Sequence, residues 1–163
     1  MTKTIMAILA ALSVGIIATV GTAPAFAESS LPFQGSFEGY DVDGDDYSGT
    51  FVDFGLFSVF DGIVETHGVY EFIEDTTHEE DGYYATTYTM SDKSGNSLSF
   101  YDVEVSFLEY GQRKYGMAQT EWTITGGEGK FSDATGEGKS RVWYNLDDMT
   151  YKGIQSGTVM LPS

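Results

Sequence analysis

The sequence contains no cysteine, and this absence excludes several chemistries at once. Without thiols the chain can form no disulfide, thiolate zinc site or iron–sulfur cluster, and it has no thiol nucleophile. Stability must come from packing and backbone pairing instead. Histidine is scarce as well, since the chain has only 2, His67 and His78, and their spacing is not that of a ligand pair. We therefore predict no cofactor, with calcium as the one alternative.

Basic residues are also few, with 8 Lys and Arg against 25 Asp and Glu, so that the formal net charge is −17. A surface of this charge repels phosphate groups, which argues against nucleic acid and against anionic membranes as partners. A solvated, soluble surface explains such a charge without any partner. The alternative is that the charge serves to bind cations or a basic partner.

The first residues predict an export signal. Lys3 is followed by an uncharged, mostly apolar run over residues 5–20, by the helix breakers Gly21 and Pro24, and by small residues at Ala25 and Ala27. This is the order of a secretory signal cleaved after residue 27. An uncleaved anchor is the alternative, but a spanning helix needs about 20 apolar residues. We expect a secreted or periplasmic domain over residues 28–163, with a formal charge of −18 because Lys3 is the only charge removed.

The rest of the chain has the composition of a β-protein, with many Tyr, Phe, Thr and Val residues and turns rich in Gly, Asp, Asn and Ser. No apolar stripe of helical period and useful length is present. Eight strands are predicted, over residues 33–40, 47–54, 57–73, 82–90, 97–108, 114–125, 139–145 and 150–161. The long third strand could bend at Asp61-Gly62 and near Gly68, because a glycine within a strand often marks a bulge.

Short loops between these strands favour antiparallel neighbours in sequence order, and closure would remove the exposed sheet edges. The fifth strand alternates, with Tyr101, Val103, Val105 and Phe107 on one face and Asp102, Glu104 and Ser106 on the other. We predict an all-β fold, an antiparallel eight-stranded barrel, whose interior is filled by side chains or holds one small ligand. A two-sheet β-sandwich is the alternative.

The most distinctive segment is rich in glycine and lies between the sixth and seventh predicted strands. Its first glycines permit a tight reversal, two apolar residues could close one barrel end, and the last glycines suit a place where backbones crowd. These residues are Gly126, Gly127 and Gly129, then Phe131 and Ala134, then Gly136 and Gly138.

This segment resembles the Gly-Gly-x-Gly-[Lys/Arg]-Phe-x-x-Ala-x-Gly signature of the allene oxide cyclase and dirigent type of barrel. The glycine-spaced last strand, ending in Leu161-Pro162, is similar to that of the small secreted bacterial proteins with an allene oxide cyclase-like barrel. The resemblance implies an eight-stranded, calycin-like barrel. In the plant cyclases a carboxylate and an amide of the first strands act on an epoxide, and Glu38 and Gln34 are the only counterparts here.

Three kinds of site have candidates in the sequence. An acid–base site could use Glu38, or His67 with Glu65 on the same strand face, although an ordinary strand histidine explains His67 equally. Closely spaced carboxylates could bind calcium, but the order of an EF-hand loop is not met, and an acidic turn in water is the alternative. The calcium candidates are Asp41, Asp43 and Asp45. Aromatic residues that could line a pocket for an apolar ligand are Tyr84, Tyr88, Trp122 and Trp143.

These features favour a non-catalytic exported barrel that binds a small hydrophobic molecule or serves as a stable extracellular module. One alternative is an isomerase or cyclase acting on a hydrophobic substrate inside the barrel. Another is a cation-responsive surface protein. The oligomeric state is left open by the sequence.

Overall fold

The structure, a computed structural model, describes residues 29–74 and 82–162. The expected signal over residues 1–27, and His78, lie outside the described residues. No helix in the described ranges is long and apolar enough to cross a membrane. The elements are β1 (Ser29–Gly44), β2 (Ser48–Phe57), β3 (Ile63–Glu74), β4 (Gly82–Ser91), β5 (Ser97–Tyr110), β6 (Tyr115–Glu128), the short 3-10 helix η1 (Gly129–Phe131), β7 (Thr135–Asn145) and β8 (Thr150–Leu161).

The eight strands form one closed antiparallel barrel in which each strand pairs with its neighbours in sequence. Closure is made by β1 and β8, whose pairing extends from Ser29 opposite Leu161 to Tyr40 opposite Thr150. The predicted eight-stranded antiparallel barrel is therefore confirmed, and the sandwich alternative is wrong. Because every strand has a partner on both sides, no long edge is left to pair with another chain.

The predicted third strand is wrong at its start. Phe57 ends β2, and residues 58–62 form a turn in which Gly62 has a φ of 89°. The turn is tied to β1, since the Ser58 amide donates to the Gln34 carbonyl (2.8 Å) and the Ser58 hydroxyl donates to the Pro32 carbonyl (2.8 Å). The sequence indicates a bend at Gly62, but the apolar residues on both sides of it favour one continuous strand over a full reversal.

One end of the barrel is closed by the glycine-rich segment, as predicted. Phe131 and Ala134 are buried, and the Phe131 ring meets Phe60 edge to face with the ring centres 4.9 Å apart. Gly129 has a φ of 65°, whereas Gly126 has no neighbour that a Cβ would touch. A Cβ on Gly138 would overlap both the Trp122 ring and the Ser156 carbonyl, so crowding requires glycine there.

Strand alternation decides which side chains enter the barrel. The buried residues of β1, β2 and β8 have odd numbers, and those of β3, β6 and β7 have even numbers. In β5 the lumen face is that of Phe100, Asp102 and Glu104. Asp102 pairs with the buried Trp122 of β6, which fixes this orientation. The predicted alternation of β5 is present from Tyr101 to Glu104, with Asp102 and Glu104 turned inward. It is wrong beyond Glu104, because a bulge between Glu104 and Ser106 exchanges the two faces and Phe107 pairs with the inward-facing Ala118.

Candidate functional site

The lumen divides into two halves of different chemistry. The half beside η1, here called the closed end, is packed with apolar side chains that are almost wholly buried. Its rings pack edge to face and stacked, as in Phe33 against Phe57 (5.3 Å) and Phe33 against Trp122 (5.1 Å). The closed end consists of Phe33, Phe57, Phe60, Val64, Met90, Leu98, Phe100, Trp122, Ile124, Phe131 and Val159.

Above the closed end lies a layer of buried polar side chains. Every strand except β1 contributes to it, so the layer spans the barrel rather than one wall. Two of its hydrogen bonds cross between strands. The Gln155 amide Nε2 donates to the Tyr88 hydroxyl (2.7 Å), and the Thr120 hydroxyl donates to Asp102 Oδ2 (2.9 Å). The polar layer consists of Asp53, Thr66, Tyr88, Asp102, Thr120, Ser140 and Gln155.

Most members of the polar layer have an atom without a hydrogen-bond partner among the described residues. Leaving such an atom unpaired in a protein interior costs about 1–3 kcal/mol, so the layer is ready to accept a ligand or water. The unpartnered atoms are Asp53 Oδ1, Thr66 Oγ1, Asp102 Oδ1, Ser140 Oγ, Gln155 Oε1 and, at the boundary with the closed end, Trp122 Nε1.

The carboxyl groups of the lumen face inward without a Lys or Arg beside them, and His67 on the outer side of β3 acts on Asp53 only weakly compared with burial. Burial raises the pKa of Asp53 and of Asp102 to about 7, because the charged form loses its hydration. Closer to the open end, burial raises the pKa of Glu104 to about 7 and that of Asp41 to about 6. Every Lys and Arg in the described part of the chain is exposed, so none of them neutralises these groups.

The open end, here called the mouth, is lined by half-buried tyrosines. Tyr144 and Tyr151 pack against each other with ring centres 5.7 Å apart, and Tyr70 and Tyr84 do the same at 6.0 Å. Phe51 joins the two levels, since its ring meets both Tyr151 (6.3 Å) and Tyr88 (6.2 Å). A molecule entering the lumen from this end would pass aromatic rings before it reached the polar layer.

The residues predicted for acid–base chemistry lie elsewhere. Glu38, Glu65 and His67 are exposed on the outer face of the barrel. His67 Nε2 lies 2.9 Å from Glu65 Oε1, and the side chains of both residues are more than half exposed. The predicted pair does form, but it stands in water, where an ion pair contributes little.

The aromatic residues predicted for a ligand pocket separate into several places. Tyr84 lies at the mouth, Tyr88 in the polar layer and Trp122 in the closed end. Trp143 lines an open groove of about 950 Å³ that Glu38 also lines, and this groove reaches the mouth, since Tyr144 and Tyr151 line it too. None of the unpartnered buried polar atoms belongs to this groove, so the lumen is the better candidate site.

The acidic residues predicted to bind calcium are used in other ways. Asp45 Oδ1 accepts hydrogen bonds from the amides of Tyr47 (2.9 Å) and Ser48 (2.7 Å), which lowers its pKa. Asp43 accepts from the amide of Thr50, and Asp41 lies at the mouth. Within the described ranges, no group of three or more His, Asp or Glu side chains could hold a metal ion.

Sequence reasoning missed Asp53, Asp102 and Gln155 as site residues. A signal for Asp102 was present, because it lies two residues from Phe100 and therefore on the same strand face. The same is true of Asp53, which lies between Phe51 and Gly55 on the inner face of β2. The expectation that carboxylates face water concealed both.

This arrangement has two chemical capacities. Carboxyl and amide oxygens without partners can accept hydrogen bonds from a bound molecule. Carboxyl groups with a pKa of about 7 can also give or take a proton near neutral pH.

Comparisons of the chain with protein families, with curated proteins and with solved structures give no match.

Proposed function

We propose that this protein is an exported barrel of the allene oxide cyclase-like type that binds a small molecule in the mouth half of its lumen and does not transform it. The observation that carries the proposal is the polar layer, with its buried and unpartnered oxygen atoms beneath an aromatic mouth. A purely structural barrel would gain stability from an apolar layer at this level.

The chemistry of the lumen indicates an amphipathic ligand. The closed end is packed with its own side chains, so a wholly apolar molecule would find little unfilled apolar surface there. The mouth offers ring faces, and the polar layer beneath it offers hydrogen-bond acceptors. An aromatic or aliphatic body carrying a polar end matches this order. Concave sites of this kind bind ligands through apolar walls and a few placed polar groups.

Native mass spectrometry can test the proposal because it detects any bound compound by its mass. The purified chain is incubated with a small-molecule extract, separated from unbound compounds, and weighed. We expect one retained compound, with less retained by Tyr88→Phe, since this change removes the hydroxyl that Gln155 contacts and keeps the ring. Tyr101→Phe on the outer face of β5 makes the same change outside the lumen, so it is the matched control and should retain as much as the wild type. Retention by no variant, or equal loss in the control, would refute the proposal.

A second function is favoured by one observation, the pKa of about 7 that burial gives Asp53 and Asp102. Groups of this kind suit an isomerase or cyclase that moves a proton within the lumen. In heavy water such an enzyme would exchange a carbon-bound hydrogen of the retained compound for deuterium. Exchange that is lost in Asp53→Asn or Asp102→Asn would establish catalysis. Exchange at the background rate would leave the binding protein proposed above.

A further inference from the structure

We infer that the ligand of the lumen is a small organic cation, a protonated amine on an aromatic or aliphatic body, whose ammonium group is held by the carboxyl groups of the polar layer. This inference rests on the proposed function, because it names the chemical class of the molecule bound there.

The charged groups inside the barrel are acidic, and no Lys or Arg of the described residues accompanies them. Asp53 and Asp102 are only 5% and 7% exposed, and Asp41 and Glu104 are half-buried above them. No Lys or Arg of the described residues faces the lumen, and their exposed side chains bind surface acids, as Lys139 binds Glu121 (2.7 Å). Buried carboxylates in proteins are normally paired with a cation. No side chain of the described residues supplies that cation, so a cationic partner for the ionised carboxylates would come from a bound molecule.

The polar layer contains several hydrogen-bond acceptors that have no partner. Three buried oxygen atoms, Asp53 Oδ1, Asp102 Oδ1 and Gln155 Oε1, have no hydrogen-bond partner among the described residues, and the nearby Thr66 hydroxyl lowers the pKa of Asp53 less than burial raises it. A primary ammonium group carries three N–H donors and no acceptor. The hydroxyl groups of Thr66 and Ser140 can accept as well. The polar layer therefore has acceptors to spare for a donor-rich ligand.

The mouth of the barrel is lined by aromatic rings, which also favour a cation. A cation is attracted to the face of an aromatic ring, and the attraction grows when water is excluded. Rings from several strands surround the path to the polar layer, and the net charge of −17 draws cations toward the protein. These rings belong to Phe51, Tyr70, Tyr84, Tyr144 and Tyr151.

A metal ion is a poorer candidate for the same charge. A hard cation such as Ca²⁺ takes 6–8 oxygen ligands at close range (about 2.3–2.6 Å). The described residues hold no cluster of three or more carboxylates or imidazoles that could meet this requirement. Single carboxylates spaced along a lumen with aromatic walls suit an extended organic cation better.

The binding reaction has a proton balance that can be measured. Below pH 7 the carboxyl groups of the polar layer hold protons, and an incoming ammonium group favours their ionised form. Each carboxyl group that ionises passes its proton to the buffer. Titratable groups that act on Asp53 and Asp102, or on the tyrosines beside them, are Asp41 on β1, Tyr88 on β4, Glu104 on β5, Tyr144 on β7, Tyr151 on β8 and, from the outer side of β3, His67.

The test compares tyramine with tyrosol, which has the same ring and chain but a hydroxyl in place of the ammonium group. Calorimetry on the purified chain at about pH 6, in two buffers of different ionisation heat, gives affinity and proton release together. We expect tyramine to bind at least about tenfold more tightly than tyrosol and to release protons, while tyrosol releases none.

Variants locate the binding site. Asp102→Asn should weaken tyramine binding by about tenfold and reduce proton release, and Asp53→Asn provides the same measurement if the first variant does not fold. Glu137→Gln removes one negative charge from the exposed face of β7 and is the matched control. Its affinity should equal that of the wild type, because a general attraction of cations would be weakened equally by either loss.

The outcomes separate the two proposals. Equal affinity for tyramine and tyrosol, or a retained compound that is neutral, would overturn the cation inference and leave ligand binding standing. Failure of tyramine and tyrosol to bind, together with retention of no compound from the extract, would refute both proposals. Tight, proton-releasing binding of an amine that depends on Asp53 or Asp102 supports both.

Discussion

The closed end and the polar layer lie in the same barrel and follow the same strand alternation, yet one is packed with apolar rings and the other contains buried polar groups. The closed end fills its cross-section with packed rings such as Phe33, Phe57 and Phe100. One level higher, the same sheet places Asp53 and Asp102 inward with unpartnered oxygen atoms. The comparison indicates that the closed end stabilises the fold, whereas the polar layer lowers the stability and offers groups that can bind a ligand.

The largest expected effect comes from opening the closed end. Phe100→Ala should lower the free energy of unfolding by about 4 kcal/mol, because it leaves a cavity where a fully buried ring packed. Denaturation in urea gives this value. Phe107→Ala at the mouth, where the ring is 44% exposed, is the control and should cost less than about 1 kcal/mol. Similar losses in both variants would erase the distinction between the two halves.

A substitution in the polar layer should raise the free energy of unfolding instead of lowering it. Between about pH 4 and pH 7 the unfolded chain has released the proton of Asp102 while the native chain keeps it, so stability falls as the pH rises through this range. Asp102→Asn cannot ionise and can still accept from Thr120. At about pH 8 it should raise the free energy of unfolding by about 2 kcal/mol, and at about pH 4 it should match the wild type. A variant less stable than the wild type at the higher pH would contradict this account.

A smaller effect sharpens the comparison within the glycine-rich segment. Gly138→Ala places a Cβ against the Trp122 ring and the Ser156 carbonyl, and it should destabilise the barrel by about 1–3 kcal/mol. Gly126→Ala meets no atom within 4 Å and should change the stability by less than about 0.5 kcal/mol. Thermal melting of both variants checks the difference. Equal melting temperatures would show that the packing of the closed end does not require this glycine.

Much of the fold could be predicted because the turns are marked in the sequence. The clusters at residues 91–96 and 146–149 separate strands that alternate with a period of two, and the hairpins follow. The turn after Phe57 could not be predicted in the same way. Apolar residues continue across it, and the hydrogen bonds between Ser58 and β1 that fix it join residues more than 20 positions apart in the chain.

The site was less predictable than the fold. Tyr84 and Tyr88 were identified from their aromatic character, but Glu38 and His67 were considered for catalysis because they are polar residues in strands. Which face of a strand enters the lumen depends on pairing across the barrel, such as that of Asp102 with Trp122. An alternation with a period of two shows which residues of a strand share a face. It does not show which face enters the lumen when carboxylates stand where apolar side chains are expected.

The central claim is that the carboxyl groups of the polar layer stand inside the barrel without a compensating cation. The most direct measurement is an NMR titration of the protein carrying ¹³C-labelled aspartate, with the resonances of Asp53 and Asp102 assigned by their loss in the two Asn variants. We expect both carboxyl groups to titrate at about pH 7. Titration of both near the ordinary value of 3.8, together with the exposed aspartates, would contradict the account.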